Sequence, residues 1–171
     1  PIENVKATGV PRTDPFFDED YLRRKKAELY ARFPGFKEKK VVLFAPTFRG
    51  HGQKTAHYDF ELIDNEKIAK ELDSDKYIFV VSMHPFVKNI DDMVIPEGAE
   101  DLFMYYPKGV NFNDFLLVTD IFITDYSSSI FEYAFLRKPI VFFAPDYEEY
   151  IASRGFYYPY EDYAYGPIAR T

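Results

Sequence analysis

Five short apolar runs recur along the chain: Lys40–Ala45 (KVVLFA), Tyr77–Ser82 (YIFVVS), Leu102–Tyr105 (LFMY), Ile121–Thr124 (IFIT) and Ile140–Ala144 (IVFFA). Each has the length of a strand and is rich in β-branched and aromatic side chains. Strands that are apolar throughout have both faces covered, which marks a parallel sheet with helices on either side. The intervening segments supply those helices. Asp18 is placed to cap a helix running to about Phe33, with Leu22, Leu29 and Phe33 on one side and Pro34-Gly35 at its end. Pro46 to about Asp59 reads as a loop, and residues 60–72 as weakly helical. Asn113 is placed to cap a short helix through Val118, residues 129–136 form another, and the acidic segment from Asp146 begins a last one. The expected fold is a doubly wound α/β domain over residues 18–171. Residues 1–17, with three prolines and little periodicity, read as a linker.

In such sheets ligands sit beyond the carboxyl ends of the strands, so the loops there are where chemistry is sought. Composition narrows what that chemistry is. The chain has 171 residues and no cysteine, which excludes thiol catalysis, disulfide scaffolds and thiolate metal sites. No apolar run approaches a membrane span, and no signal-peptide pattern is present. The first residue is Pro1 and not Met, which reads as a processed or excised product. The net charge of −7 argues against nucleic acid as a partner. The charge is uneven: residues 1–56 carry 12 Lys/Arg against 7 Asp/Glu, and residues 57–171 carry 9 against 21. A basic stretch of this kind is compatible with an anionic small ligand or a membrane surface; the plainer reading of Arg23-Arg24-Lys25-Lys26 is a solvated helix face.

After the first strand, Thr47 and Arg49 in Pro46-Thr-Phe-Arg-Gly50 offer a hydroxyl and a forked guanidinium suited to a phosphate or carboxylate, or to a surface salt bridge. After the second, His84 in Met83-His-Pro85 offers an imidazole for hydrogen bonding or proton transfer, or a structural histidine. His51 and His57 form no recognisable metal triad with it and read as solvated loop residues. After the fourth, Asp125-Tyr-Ser-Ser-Ser129 runs into a helix, placing Ser127, Ser128, Ser129 and unpaired backbone N–H groups where an anion could bind. Plain capping by Ser129, with Glu132 completing a capping box, accounts for only one serine. Glu132 is suited either to ribose hydroxyls or to the helix dipole. Walker A, Gly-x-Gly-x-x-Gly and Gly-x-Ser-x-Gly patterns are absent, so no cofactor is expected. The aromatic tail, eight rings between Tyr147 and Tyr165, reads first as packing and second as a stacking surface.

Taken together, VVLFAPTFRG, MHPF, VTDIFITDYSSSIFEYAFLRKPIVFFAPD and RGFYYPYEDYAYGPIART resemble the CDP-glycerol glycerophosphotransferase family, the teichoic acid polymerases and primases of bacterial cell walls. Thr8-Gly-Val-Pro-Arg-Thr-Asp14 resembles that family's Gly-x-Pro-Arg-x-Asp lead-in from a preceding domain. The resemblance implies a Rossmann-like domain similar to the second, donor-holding domain of a GT-B glycosyltransferase. The donor would be CDP-glycerol or a related CDP-polyol, and the acceptor a lipid-linked polymer engaged through an N-terminal domain. The resemblance further implies that Arg49, His84 and the Ser127-Ser128 pair contact the donor diphosphate, with His84 catalytic in stabilising the departing CMP. Ser129 and Glu132 stand where the family varies. The family's His-Gly-x-Pro motif, carrying its other histidine, does not occur here, so the chain alone is expected not to turn over donor. A peripheral position on the inner face of the membrane and exposed aromatic surface near the tail are implied as well; metal dependence stays open. The competing readings are a UDP-sugar or CDP-ribitol donor domain, and a non-catalytic module of the same fold. A receiver-like or flavodoxin-like domain fits the length but lacks the acidic cluster after the first strand.

Overall fold

The computed structural model describes Asn4 and residues 6–171. Six parallel strands make one sheet: β1 Lys40–Phe44, β2 Tyr77–Val81, β3 Phe103–Tyr105, β4 Ile121–Thr124, β5 Ile140–Phe143 and β6 Ile168–Ala169. Their spatial order is 3-2-1-4-5-6, that of a Rossmann-type doubly wound sheet. Chain direction of travel across the sheet reverses between β1 and β4, where Val42 pairs with Ile121 and Phe44 with Ile123.

The α-helices are α1 Glu19–Arg32, α2 Gly35–Glu38, α3 Asn65–Glu71, α4 Phe112–Leu116, α5 Ser129–Ala134, α6 Tyr147–Ser153 and α7 Tyr160–Tyr163. Strand alternation divides the core in two. Val41, Leu43, Phe122 and Phe142 point to one face and pack with Leu29 of α1, Phe36 of α2, Phe115 of α4 and Ile130 of α5. Val42, Phe44, Phe79 and Phe103 point to the other, against Tyr58, Phe60, Met93 and Leu102, with Ile68 of α3 alongside.

Asp18 caps α1, accepting from Tyr21 N at 2.9 Å. The basic run on that helix is a solvated face with local pairs, Lys25–Glu28 and Arg23–Asp20. Three expectations change. Asn111, not Asn113, caps α4, because Phe112 enters the helix to pack on Tyr106 and Phe122. β6 is too short to show a period, and its pairing needs Gly166, where a Cβ would sit 2.2 Å from Ile140 O. The lead-in is not a loose linker over its described second half. Pro11–Phe17 is a 3-10 helix whose Phe16 is buried in the core, with only residues 1–3 and 5 of the linker reading lying outside the described residues.

Candidate functional site at the sheet switch point

The loops after β1 and β4 part at the switch point, and the residue between them is Asp125. It is fully buried, and its Oδ1 accepts from Thr47 N at 2.7 Å and from Tyr126 N at 2.6 Å. Thr124 Oγ1 donates to Ala45 O at 2.7 Å, closing the two strand ends on each other. One carboxylate therefore sets the start of both loops.

The β1 loop folds back as a closed arm. Arg49 and His57 exchange backbone hydrogen bonds of 2.7 and 3.2 Å. Gly50 makes the bend at φ +86, where a Cβ would meet Thr55 O at 2.1 Å. The Arg49 guanidinium, 13% exposed, forks onto Asp146 through Nε (2.5 Å) and Nη2 (2.9 Å). Nη2 also lies 2.9 Å from Asp125 Oδ2, and Nη1 donates to Thr47 O. The rings of Tyr58, Tyr126 and Tyr150 surround it at 5.2–5.4 Å. Burial pushes the Asp125 carboxyl up, against the opposing pull of Arg49 and the two backbone donors. At Asp146 burial acts the same way, but the Arg49 bond and charge outweigh it and hold that carboxyl below the usual range. Arg49 was expected at a donor phosphate; in this structure Asp146, Thr47 O and Asp125 Oδ2 stand at its N–H groups.

His84 follows β2 on the same edge of the sheet and is exposed. Phe86 N donates to its Nδ1 at 3.2 Å, so the neutral ring carries its proton on Nε2. Phe48 packs against the ring at 4.9 Å and Phe86 at 4.6 Å. The Arg154 guanidinium lies 4.6 Å from the Phe48 ring and donates to Gly50 O, fastening the β1 loop to α6. Between that loop and α6 lies a cleft of about 480 Å³, lined by Arg49, His57, Asp146, Glu149 and Arg154 among others.

In the serine turn the capping roles shift by two residues. Ser127 Oγ accepts from Ser129 N at 3.2 Å and donates to Ser129 Oγ at 3.0 Å. Ser128 is exposed and makes no side-chain hydrogen bond among the described residues, and the same holds for the Thr47 hydroxyl. Glu132 neither completes a capping box nor faces an open ribose site. Its side chain is 4% exposed and bonds Arg12 Nε at 2.6 Å, because the lead-in helix lies over the first turn of α5. The structure thus brings Thr47, Arg49, Ser127, Ser128 and Ser129 to the switch point, sets His84 at the next strand end, and turns Glu132 inward.

Asp125, Asp146 and Arg12 were missed as site-building residues. An Asp directly follows β4 and another closes the Ala-Pro-Asp that follows β5, opposite an Arg after β1; that repeated placement was the available signal. The aromatic tail packs behind the site: Tyr126 stacks on Tyr150 at 3.8 Å, and Phe156 and Tyr160 complete the cluster. Tyr157, Tyr158 and Tyr165 remain exposed. Among the described residues no three His, Asp or Glu gather as a metal site, and no helix is long and apolar enough to cross a membrane.

A 3-2-1-4-5-6 parallel sheet with hydroxyls and an imidazole at its strand ends defines a Rossmann-like α/β domain. The family model described as CDP-Glycerol:Poly(glycerophosphate) glycerophosphotransferase matches residues 2–171, and the chain belongs to that family. It is 53% identical over 170 residues to the teichoic acid poly(ribitol-phosphate) polymerase of Bacillus spizizenii, covering 99% of this chain and 27% of that protein. It is 46% identical over 169 residues to a teichoic acid ribitol-phosphate polymerase of Staphylococcus aureus, TarK, covering 99% of this chain and 33% of that protein. A solved structure of the wall teichoic acid polymerase TagF superposes with a TM-score of 0.74 at 28% identity, over 99% of this chain and 38% of that one. The chain therefore spans about a quarter to two-fifths of the length of these proteins. Teichoic acid polymerases and primases are transferases, and the GT-B-like α/β fold expected from the sequence is the one observed.

Proposed function

We propose that residues 18–171 hold the CDP-activated donor of a polyol-phosphate transferase that extends or primes a lipid-linked wall polymer. The observation that carries this reading is the convergence, at one sheet edge, of an outward imidazole and unpartnered hydroxyls on the two sides of the switch point. In the reaction, an acceptor hydroxyl attacks the β-phosphorus of the donor. A new P–O bond forms, the bond to the bridging oxygen breaks, and CMP leaves with that electron pair. His84 Nε2–H donates to a phosphate oxygen and stabilises the charge that develops on the departing CMP. Ser128, the Thr47 hydroxyl and the N–H groups of Ser127 and Ser128 hold the same diphosphate. The acceptor proton goes to a general base supplied outside this chain, so the 171 residues alone bind donor without turning it over. The protein works at the cytoplasmic face of the membrane, where a soluble CDP donor meets a lipid-linked acceptor.

Ribitol phosphate is the transferred group in this reading, in place of the glycerol phosphate first expected. The support is that relatives 46% and 53% identical are named for ribitol phosphate. The test is CMP release by the protein carrying this chain, given lipid-linked acceptor and either CDP-ribitol or CDP-glycerol. Release from CDP-ribitol, lost in His84→Ala, is expected. Release from CDP-glycerol alone would overturn the ribitol assignment, and release from neither by a folded protein would overturn the donor-site reading.

A further inference from the structure

Buried Asp125 and the partly buried Arg49 and Asp146 form a trio of ionisable groups that the donor reading does not use. We infer that this trio is a three-way clamp that fixes the two backbone segments facing the donor, and that Arg49 is a positioning residue and not a phosphate ligand. The inference rests on the donor-site reading for what those segments touch; the clamp itself stands on geometry alone.

The guanidinium presents five N–H groups. Asp146 takes two in a fork, Thr47 O takes one, and Asp125 Oδ2 stands 2.9 Å from Nη2. A phosphate could take the Nε–Nη2 fork of Arg49 only by displacing the Asp146 carboxylate. The trio also sets beside the guanidinium the charge of Asp146, which repels anions. Its geometry serves another purpose. Asp125 Oδ1 holds the N–H groups of Thr47 and Tyr126, while Asp146 Oδ1 also accepts from Tyr126 Oη at 3.0 Å. The loops after β1, β4 and β5 are thereby tied to one guanidinium. Asp125 Oδ2 has no well-aligned hydrogen bond among the described residues, so Arg49 is its charge compensation. A ligand displacing Arg49 would strand that carboxylate.

The two roles predict opposite signs. If Arg49 were a phosphate ligand, neutralising Asp146 would free it and remove a repulsive charge, so nucleoside diphosphate would bind more tightly. For a clamp, the same change loosens Thr47 and the serine turn, and binding weakens. The experiment is calorimetric titration of Asp146→Asn with CDP, together with hydrogen exchange at the Thr47 and Tyr126 amides. A loss of about tenfold in affinity is expected, on the scale of one charged hydrogen bond, measured well below the melting temperature of the variant. Both amides should exchange faster while Phe79 N, in the sheet, stays protected. Equal or tighter CDP binding, or unchanged exchange at both amides, would overturn the clamp. If the parent chain binds no CDP, the donor reading fails and the exchange arm alone decides the clamp. If Asp146→Asn does not fold, Tyr126→Phe, which removes only one hydrogen bond to Asp146, is read by the same two criteria.

Discussion

The Tyr160 hydroxyl donates to the main-chain carbonyl oxygen of Asp125 across 2.9 Å, and both residues are sealed from solvent. The bond joins the aromatic tail to the residue that starts the serine turn. Tyr160 also packs against Phe142 of β5 and against Tyr126, so the tail braces the site from behind. Tyr160→Phe keeps the ring and strands the carbonyl. Urea unfolding is expected to show a loss of about 1–2 kcal/mol, the cost of an unsatisfied buried acceptor. A change below a few tenths would mean that the hydroxyl carries no structural role.

Gly166 tests the sixth strand. A side chain there would press on Ile140 O and on the Phe142 ring, so Gly166→Ala must part β6 from β5 or shift the edge of the sheet. The expected cost is about 3 kcal/mol, typical of forced overpacking. Gly98→Ala, at φ +80 with nothing within 4 Å of the added Cβ, carries a backbone cost without crowding, and a Gly166→Ala loss no larger than that of Gly98→Ala in chemical denaturation would contradict the crowding account.

How far the sequence could be read depended on whether a feature is local. The five longer strands and the Asp18 cap carry their signal in adjacent residues, and they lie within a residue or two of where the pattern puts them. β6 carries none, because a two-residue strand is defined by Phe142 and Phe143 beside it. The site divides the same way. Its loops were legible because strand ends on a parallel sheet must converge. The partners of Arg49 and Glu132 were not, since Asp146 lies 97 residues from the first and Arg12 lies 120 from the second. A side chain that suits a phosphate equally suits a carboxylate, and only the packed chain decides between them.

Arg137 closes α5 at φ +52, a left-handed conformation in which a non-glycine side chain is strained. Arg137→Gly removes that strain at an exposed position and is expected to raise stability by about 0.5–1 kcal/mol. A lower melting midpoint for the variant would contradict this.

The tyrosines predict the response to alkali. Burial pushes up the hydroxyls of Tyr58, Tyr106, Tyr126, Tyr133 and Tyr160, and the Asp114 hydrogen bond raises Tyr21 to about 12 from the ordinary 10.0. Each stays protonated in the folded chain at a pH where the unfolded chain has released its proton. Their contribution to stability is complete below pH 10 and falls as pH rises from there through the raised values. Tyrosinate absorbance should therefore appear for these groups together with the loss of circular dichroism. Ionisation of all tyrosines near pH 10 with the fold intact would show that the hydroxyls are not sequestered.

The most direct test of the central claim, that the switch-point loops hold a CDP-activated donor, is calorimetric titration of this chain with CDP, CMP and UDP, repeated on His84→Ala and Ser128→Ala. The account predicts that CDP binds more tightly than CMP or UDP, and that each substitution weakens CDP by about tenfold, as loss of a hydrogen bond to a charged phosphate should. CDP binding that is absent from the folded chain, or unchanged in both variants, would contradict it.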